Sequence, residues 1–171
     1  MRASSIPLSE YNPYYERYIA SVGDIPLLDA LQKGLAETSE FFNQLPDGKW
    51  SHRYQEGKWT PKDILMHIAD TERVFAYRAL YFARSSNSVL KGFDENIFAI
   101  TAEANELKAD RLITNFRAVR LATLSLFQDF NEFQLKQLGE ANGSILSVRA
   151  AGFIICGHEI HHRNIISERY L

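Results

Sequence analysis

Apolar residues recur at intervals of three and four through four stretches of this chain, the spacing that lines one face of an α-helix. Leu28, Leu31, Leu35, Phe42 and Leu45 form the first stripe and predict a helix from about Pro26 to Leu45, with Asp24 available as its cap and Gly34 as a local weak point. Thr60-Pro61, a capping residue followed by proline at the first helical position, opens a second helix that runs to about Arg84. The third covers about Lys108 to Phe133 and carries Leu112, Phe116, Val119, Thr123, Leu126 and Phe130 on one face. The fourth covers about Val148 to Tyr170, preceded by the loop GEANGS and capped by Ser147. No long run alternates with the two-residue period of a half-buried strand, so the class is all-α and the architecture a four-helix bundle. The stretch between the second and third helices, about residues 85 to 107 around SSNSVLKGFDENIF, exceeds a hairpin connection and predicts a long crossover. The chain reads as one domain over residues 1–171, with an aromatic N-terminal extension over 1–24 and the bundle over about 25–171.

Composition narrows the function without naming it. At 171 residues, 46% apolar and 12% aromatic, the chain has the material for a single substantial core. Its 19 basic and 21 acidic residues leave a net charge of −2, which gives no general attraction for nucleic acid or anionic lipid. Cys156 is the sole cysteine, so an intrachain disulfide and a thiolate metal cluster are both excluded, in keeping with a reducing compartment. The N-terminal MRASSIPLSEYNPYYERYIA lacks the apolar core of a signal peptide, and no stretch is apolar over a membrane-spanning length. A soluble cytoplasmic protein is expected.

The candidate chemistry lies with histidine. Three of the five histidines fall in GHEIHHRNII, residues 157–166. A rotation of about 100° per residue puts His158 and His162 in the middle of the stripe that holds Ala151, Ile154, Ile155, Ile165 and Ile166, with His161 to one side and Cys156 almost opposite. Two imidazoles one turn apart in an apolar interior need partners for their ring nitrogens, and one divalent ion satisfies both. The spacing alone is not specific, because hydrogen-bonded core pairs and interface groups share it. His67, in DILMHIADTERVFAYRAL, shares a face with Asp63, Ile64, Thr71, Val74, Phe75 and Arg78 and is a third inward-facing histidine. Three nitrogen donors from two helices would leave a coordination position open, as in a catalytic site.

The entry WTPKDILMHIADTERVFAYRALYFAR, the following GFDEN and the terminal GHEIHHRNIISERYL, together extending over most of residues 25–171, resemble the DinB/YfiT-like superfamily of four-helix-bundle metalloenzymes. The resemblance implies a bundle with a long crossover and a divalent ion, commonly zinc or nickel, held by one histidine of the second helix and an H-x-x-x-H pair of the last. In this chain those positions are His67, His158 and His162. Some members are similar to thiol S-transferases that use a low-molecular-weight thiol, others to metal-dependent hydrolases or isomerases. Other branches follow the last histidine with R-G-Q, whereas Arg163-Asn164-Ile165 stands here; the departure leaves the histidine set intact. Family precedent and the tyrosine-rich YNPYYERYIA also suggest a homodimer, in which Tyr11, Tyr14, Tyr15 and Tyr18 pack on a partner or on the chain's own bundle.

Other residues divide between structure and function. Asp94 and Glu95 could approach a metal, or simply order the crossover. Arg78 could hold an anionic substrate or pair with Glu72 or Glu159. Trp50, Trp59 and Tyr54 fasten a loop to the core or wall a pocket. His52, without a second ligand at metal-binding spacing, is expected at the surface. Serine nucleophile, phosphate-loop and Cys-His signatures are missing, so any chemistry falls to the metal. The resulting expectation is a metal-dependent enzyme of transferase or hydrolase type in which the ion activates water or a thiol for a small-molecule substrate. The competing readings are a non-catalytic metal- or small-molecule-binding stress protein and a helical interaction module without metal.

Overall fold

The computed structural model describes residues 1–85 and 88–171. Its helices are α1 (Glu16–Ser21), α2 (Leu27–Asn43), α3 (Pro61–Arg84), α4 (Glu95–Thr101), α5 (Ala109–Gln128), α6 (Glu132–Leu135) and α7 (Val148–Arg169). Strands β1 (Val89–Leu90), β2 (Leu138–Ala141) and β3 (Ser144–Ser147) form one small sheet. The long helices α2, α3, α5 and α7 make the bundle: α2 and α3 each pack against both α5 and α7.

Helix starts follow the local chemistry. At α3, Thr60 accepts from the Asp63 backbone N–H while Asp63 accepts from that of Thr60, and Pro61 occupies the first turn, where no amide donor is needed. Ser147 caps α7 by accepting from Ala150. Asp24 does not cap α2; it pairs with Arg2 at 3.3 Å, and the helix begins behind Pro26 instead. Leu28, placed on the first stripe by spacing, is exposed, and Leu27 takes the buried position. The third bundle helix ends at Gln128 rather than running to Phe133, because Asn131 and Gln134 form a capping box that starts α6. Phe130 nevertheless stays buried, with its ring 5.4 Å from Phe127.

The loop GEANGS proves to be the turn of a hairpin. Asn142 and Gly143 both have positive φ, at 53° and 72°, the conformation of a tight two-residue hairpin turn, and β2 runs antiparallel to β3. β1, in the crossover, adds to β2 in parallel. The strands are too short for a two-residue period to be visible in sequence.

Two apolar clusters occupy the two ends of the bundle. One holds Leu27 and Leu31 of α2, Phe75 and Phe82 of α3, Leu124 and Phe127 of α5, and Phe153 and Ile154 of α7. The other holds Phe42, Ile64, Leu65, Leu112, Phe116 and Ile166. The order in which each helix visits the clusters makes α2 parallel to α7 and α3 parallel to α5. A chain that leaves α3 and enters a parallel neighbour must travel the length of the bundle, which explains the long crossover. Its far end is pinned beside the start of α3, where Lys62 donates to the carbonyls of Asn105 and Leu107, at 3.0 and 2.7 Å, and Asn105 donates to Asp63 at 2.7 Å.

Between the clusters lies a polar layer. Arg120 of α5, fully buried, gives two hydrogen bonds to Glu72, at 2.8 and 2.9 Å, and one to Glu159 at 2.9 Å. Its fourth contact is the Leu31 carbonyl at 3.1 Å, and Thr38 donates to the other Glu159 oxygen at 2.9 Å. All four bundle helices meet in this network. Arg78 pairs with neither glutamate, contrary to one of the alternatives drawn from spacing; the arginine that does so lies on α5.

The N-terminal extension packs on its own chain. Tyr11, Tyr18, Ile19 and Val22 are buried, α1 lies along α7, and Glu10 forms an ion pair with Arg149. A β-carbon built on Gly157 would overlap the Tyr18 carbonyl, so glycine at this position permits the close approach of α1 to α7. Among the described residues, no helix is long and apolar enough to cross a membrane.

Candidate metal centre

The polar layer has a second side, where the histidines lie. Glu72 and Glu159 turn inward to Arg120, while His67, on α3, and His158 and His162, on α7, turn toward an open cleft. His158 Nε2 is 3.0 Å from His67 Nε2 and 3.0 Å from His162 Nε2, and one ligand atom from each residue lies within 4.8 Å of the others. Two nitrogens bound at about 2.05 Å to one tetrahedral ion stand about 3.3 Å apart, close to these separations.

Hydrogen bonding alone suits the cluster poorly. A neutral imidazole nitrogen carries either one proton or one lone pair, so His158 Nε2 cannot give each of its two close neighbours a separate, linear hydrogen bond. A cation facing three lone pairs satisfies all three at once. The lone pairs are available, because the environment opposes protonation. Burial holds the His67 pKa down at about 4. Burial also puts His158 and His162 well below the usual value, with their proximity to one another and to His67 and His161 adding to it.

Neighbouring rings fix the geometry. Trp59 lies 4.7 Å from His67, centroid to centroid, and Tyr18 stands edge-on to His158 at 5.7 Å. Thr71 Oγ1 is 3.4 Å from His67 Nδ1. His161 faces Tyr18 at the cleft's edge and lies outside the three-nitrogen cluster; burial and Arg17 lower its pKa. Cys156 is fully buried away from the cleft, and burial raises its thiol pKa far out of reach of neutral pH. His52 is exposed, its ring 6.3 Å from that of Tyr170, and lies outside the three-nitrogen cluster.

The cleft above the histidines has a volume of about 480 Å³. Thr71, Phe75 and Arg78 continue its wall along α3, and the N-terminal segment supplies Tyr14, Tyr15, Arg17 and Tyr18. Asn142 and Ser144 of the hairpin and Glu95 of α4 close the rim. Asp94 does not line it; its carboxylate caps α4 by accepting from Asn96 and Ile97. Trp59 is a wall residue, whereas Trp50 packs in the core, 5.6 Å from Phe42. Spacing missed the contributions of Arg17 and the hairpin, since both reach the cleft through tertiary contact.

A helical bundle with a histidine cluster at the floor of a cleft is the class that fold and site define. Residues 30–166 match the family model of the DinB superfamily, and the chain belongs to that superfamily. A protein of Oceanobacillus iheyensis named "Putative metal-dependent hydrolase" is 31% identical over 126 residues, which cover 72% of this chain and 71% of that protein. One of the same name from Geobacillus thermodenitrificans is 23% identical over 123 residues, covering 72% of this chain and 64% of the relative. The fold is that of YfiT from Bacillus subtilis, described as a probable metal-dependent hydrolase with an unusual four-helix bundle topology: TM-score 0.76, 17% identity, 96% of this chain and 94% of that one.

Proposed function

We propose that this protein is a metal-dependent hydrolase in which His67, His158 and His162 hold one divalent ion, zinc or nickel, through their Nε2 atoms. The observation that carries the reading is the convergence of three neutral ring nitrogens, two of the separations being 3.0 Å, at the floor of an open cleft. Among the chemistries open to such a donor set, the names of the two relatives favour hydrolysis over thiol transfer. When bound, the ion supplies Lewis acidity, which polarises an acyl or phosphoryl oxygen and acidifies water.

The chain's own residues do the rest. With Nε2 turned into the cluster, neutral His67 carries its proton on Nδ1 and donates to Thr71 Oγ1, which fixes the ring's orientation. Trp59 and Tyr18 cover the flanks of His67 and His158, so solvent and substrate reach the nitrogens from the cleft side. Histidine ligands leave the charge of the ion uncompensated, which favours activation over a purely structural part.

The test is metal content and turnover together. Purified protein should hold about one divalent ion per chain. His67→Ala, His158→Ala and His162→Ala should each lose it, whereas His161→Ala and His52→Ala should keep it. Cobalt-loaded protein should show absorption bands that shift saturably with azide, and hydrolysis of activated esters should follow metal content. A wild-type protein without stoichiometric metal, or ion binding unchanged in the three variants, would refute the assignment.

A further inference from the structure

Three arginines are buried among the described residues, and their surroundings differ. Arg120 lies between Glu72 and Glu159, and Arg149 holds Glu10. Arg78 is only 4% exposed, yet among the described residues it forms no ion pair with a carboxylate. Its guanidinium is stacked instead, 4.9 Å from the Phe75 ring centre and 5.9 Å from that of Phe93, and it lines the cleft that leads to the histidines. Burial lowers its pKa, opposed by the nearby Tyr15 phenol, whereas the carboxylates around Arg120 and Arg149 raise theirs. A partly desolvated guanidinium whose polar neighbour is the Tyr15 phenol rather than a carboxylate gains from a counter-charge that two aromatic faces do not supply. Glu95 faces the same cleft but forms no ion pair with it.

We infer that Arg78 is a substrate-recognition residue, which binds a carboxylate on the substrate remote from the bond that is cleaved at the histidines. The inference rests on the hydrolase reading given above and adds a chemical class to it. The planar fork of guanidinium, in contact with the Phe75 and Phe93 rings, matches a carboxylate bidentately. Position along the helix sets the length of the ligand. His67, Thr71, Phe75 and Arg78 follow one another on the cleft face of α3, and eleven residues of helix rise about 16 Å. The side chains of His67 and Arg78 both lean toward the helix N-terminus, the arginine further because it is longer, which leaves on the order of 10 Å between its guanidinium and the His67 nitrogens. The substrate is therefore an elongated acid whose carboxylate sits several bonds from the scissile group, with Phe75 and Thr71 beneath the span between them.

The probes are alkyl hydroxamates bound to cobalt-loaded protein and followed by absorption and calorimetry. Acetohydroxamate reports the metal centre alone. A series of ω-carboxy hydroxamates from succinyl to sebacoyl, each beside its methyl ester, reports Arg78. The longer acids should bind the wild-type protein at least about tenfold tighter than their esters, with an optimum in chain length. Arg78→Gln should remove that preference while acetohydroxamate affinity stays; Arg78→Lys, charged but without the fork, should retain part of it. Equal binding of acid and ester by the wild-type protein, or a preference that survives Arg78→Gln, would overturn the inference. The wild-type comparison holds even if the glutamine variant fails to fold. Failure of acetohydroxamate to bind would refute the metal reading instead, and Arg78 is then read in metal-free protein. There hexanoate, but not hexanol, should raise the melting temperature of the wild type and not of Arg78→Gln; no difference between the two ligands would refute the carboxylate site.

Discussion

Replacing Arg120 by methionine tests the polar layer that holds the two halves of the core in register. The substitution fills much of the same volume but deletes two hydrogen bonds to Glu72, one to Glu159 and one to the Leu31 carbonyl, all in a site closed to water. It leaves two buried carboxylates without their cation, and removing one partner of such a pair costs about 3–5 kcal/mol. For a chain of this size each kcal/mol shifts the midpoint by about 2–4 °C, so a fall of about 6–20 °C is expected. Burial already raises the Glu159 pKa, with Arg120 pulling against it; without Arg120 the folded-state pKa of Glu159 moves further above the unfolded value of about 4.3. A carboxyl group raised in the folded state contributes stability below its unfolded pKa and loses it as pH rises, so the deficit of the variant should widen between pH 4.5 and pH 7.5. Adding Glu72→Gln and Glu159→Gln should recover part of the loss and flatten the pH dependence. Urea denaturation followed by circular dichroism measures each quantity. A loss under about 1 kcal/mol, or the same deficit at both pH values, would refute the account of the network.

Metal-free protein should be acid-sensitive through the histidine cluster. Because His67, His158 and His162 are held below the unfolded value of about 6.5, their contribution is complete above that pH and falls as pH drops beneath it, by about 1.4 kcal/mol per unit for each histidine that stays neutral in the fold. Urea midpoints at pH 7 and pH 5.5 measure the slope, which should be shallower in His67→Phe; equal slopes would contradict the burial of the ring. Cys156 should resist an aromatic disulfide reagent at pH 8 and react stoichiometrically in guanidinium chloride, and rapid labelling of the native protein would show the site to be open. Gly157→Ala should push α1 off α7, at a cost of about 1–3 kcal/mol, and expose residues 12–23 to limited proteolysis; an unchanged digestion pattern would mean that the contact yields without effect.

The bundle and its histidines were legible because both follow helical period. Ile154, His158 and His162 lie on one stripe of α7, and His67 lies on the buried stripe of α3, so the direction of each side chain was fixed before any contact was known. The height of His67 relative to His158 was not, since it depends on the register of two helices 91 positions apart. Arg120 could have been found: it stands four residues after Phe116 and one after Val119, in the middle of an apolar stripe, and a charge at such a position requires a buried partner. Asn142-Gly143 likewise carried the signature of a hairpin turn, but its flanking strands, Leu138–Ala141 and Ser144–Ser147, are four residues each and present too few alternations to be read. Of the two alternatives that spacing leaves open for Arg78, pairing with Glu72 or Glu159 is not realised, because face counting on α3 says nothing of the Arg120 that α5 brings across the core.

The close seating of α1 on α7 separates two tasks along the chain. Every histidine of the cluster lies within residues 30–166, the part that matches the family, whereas Tyr14, Tyr15, Arg17 and Tyr18 lie before it. The donor atoms and one wall of the cleft are thus encoded in separate stretches of the chain. A substitution or a one-residue slip in YNPYYERY presents different side chains to the same three nitrogens, so that the shape of the cavity can change while the spacing of its donors, set by α3 and α7, is left alone.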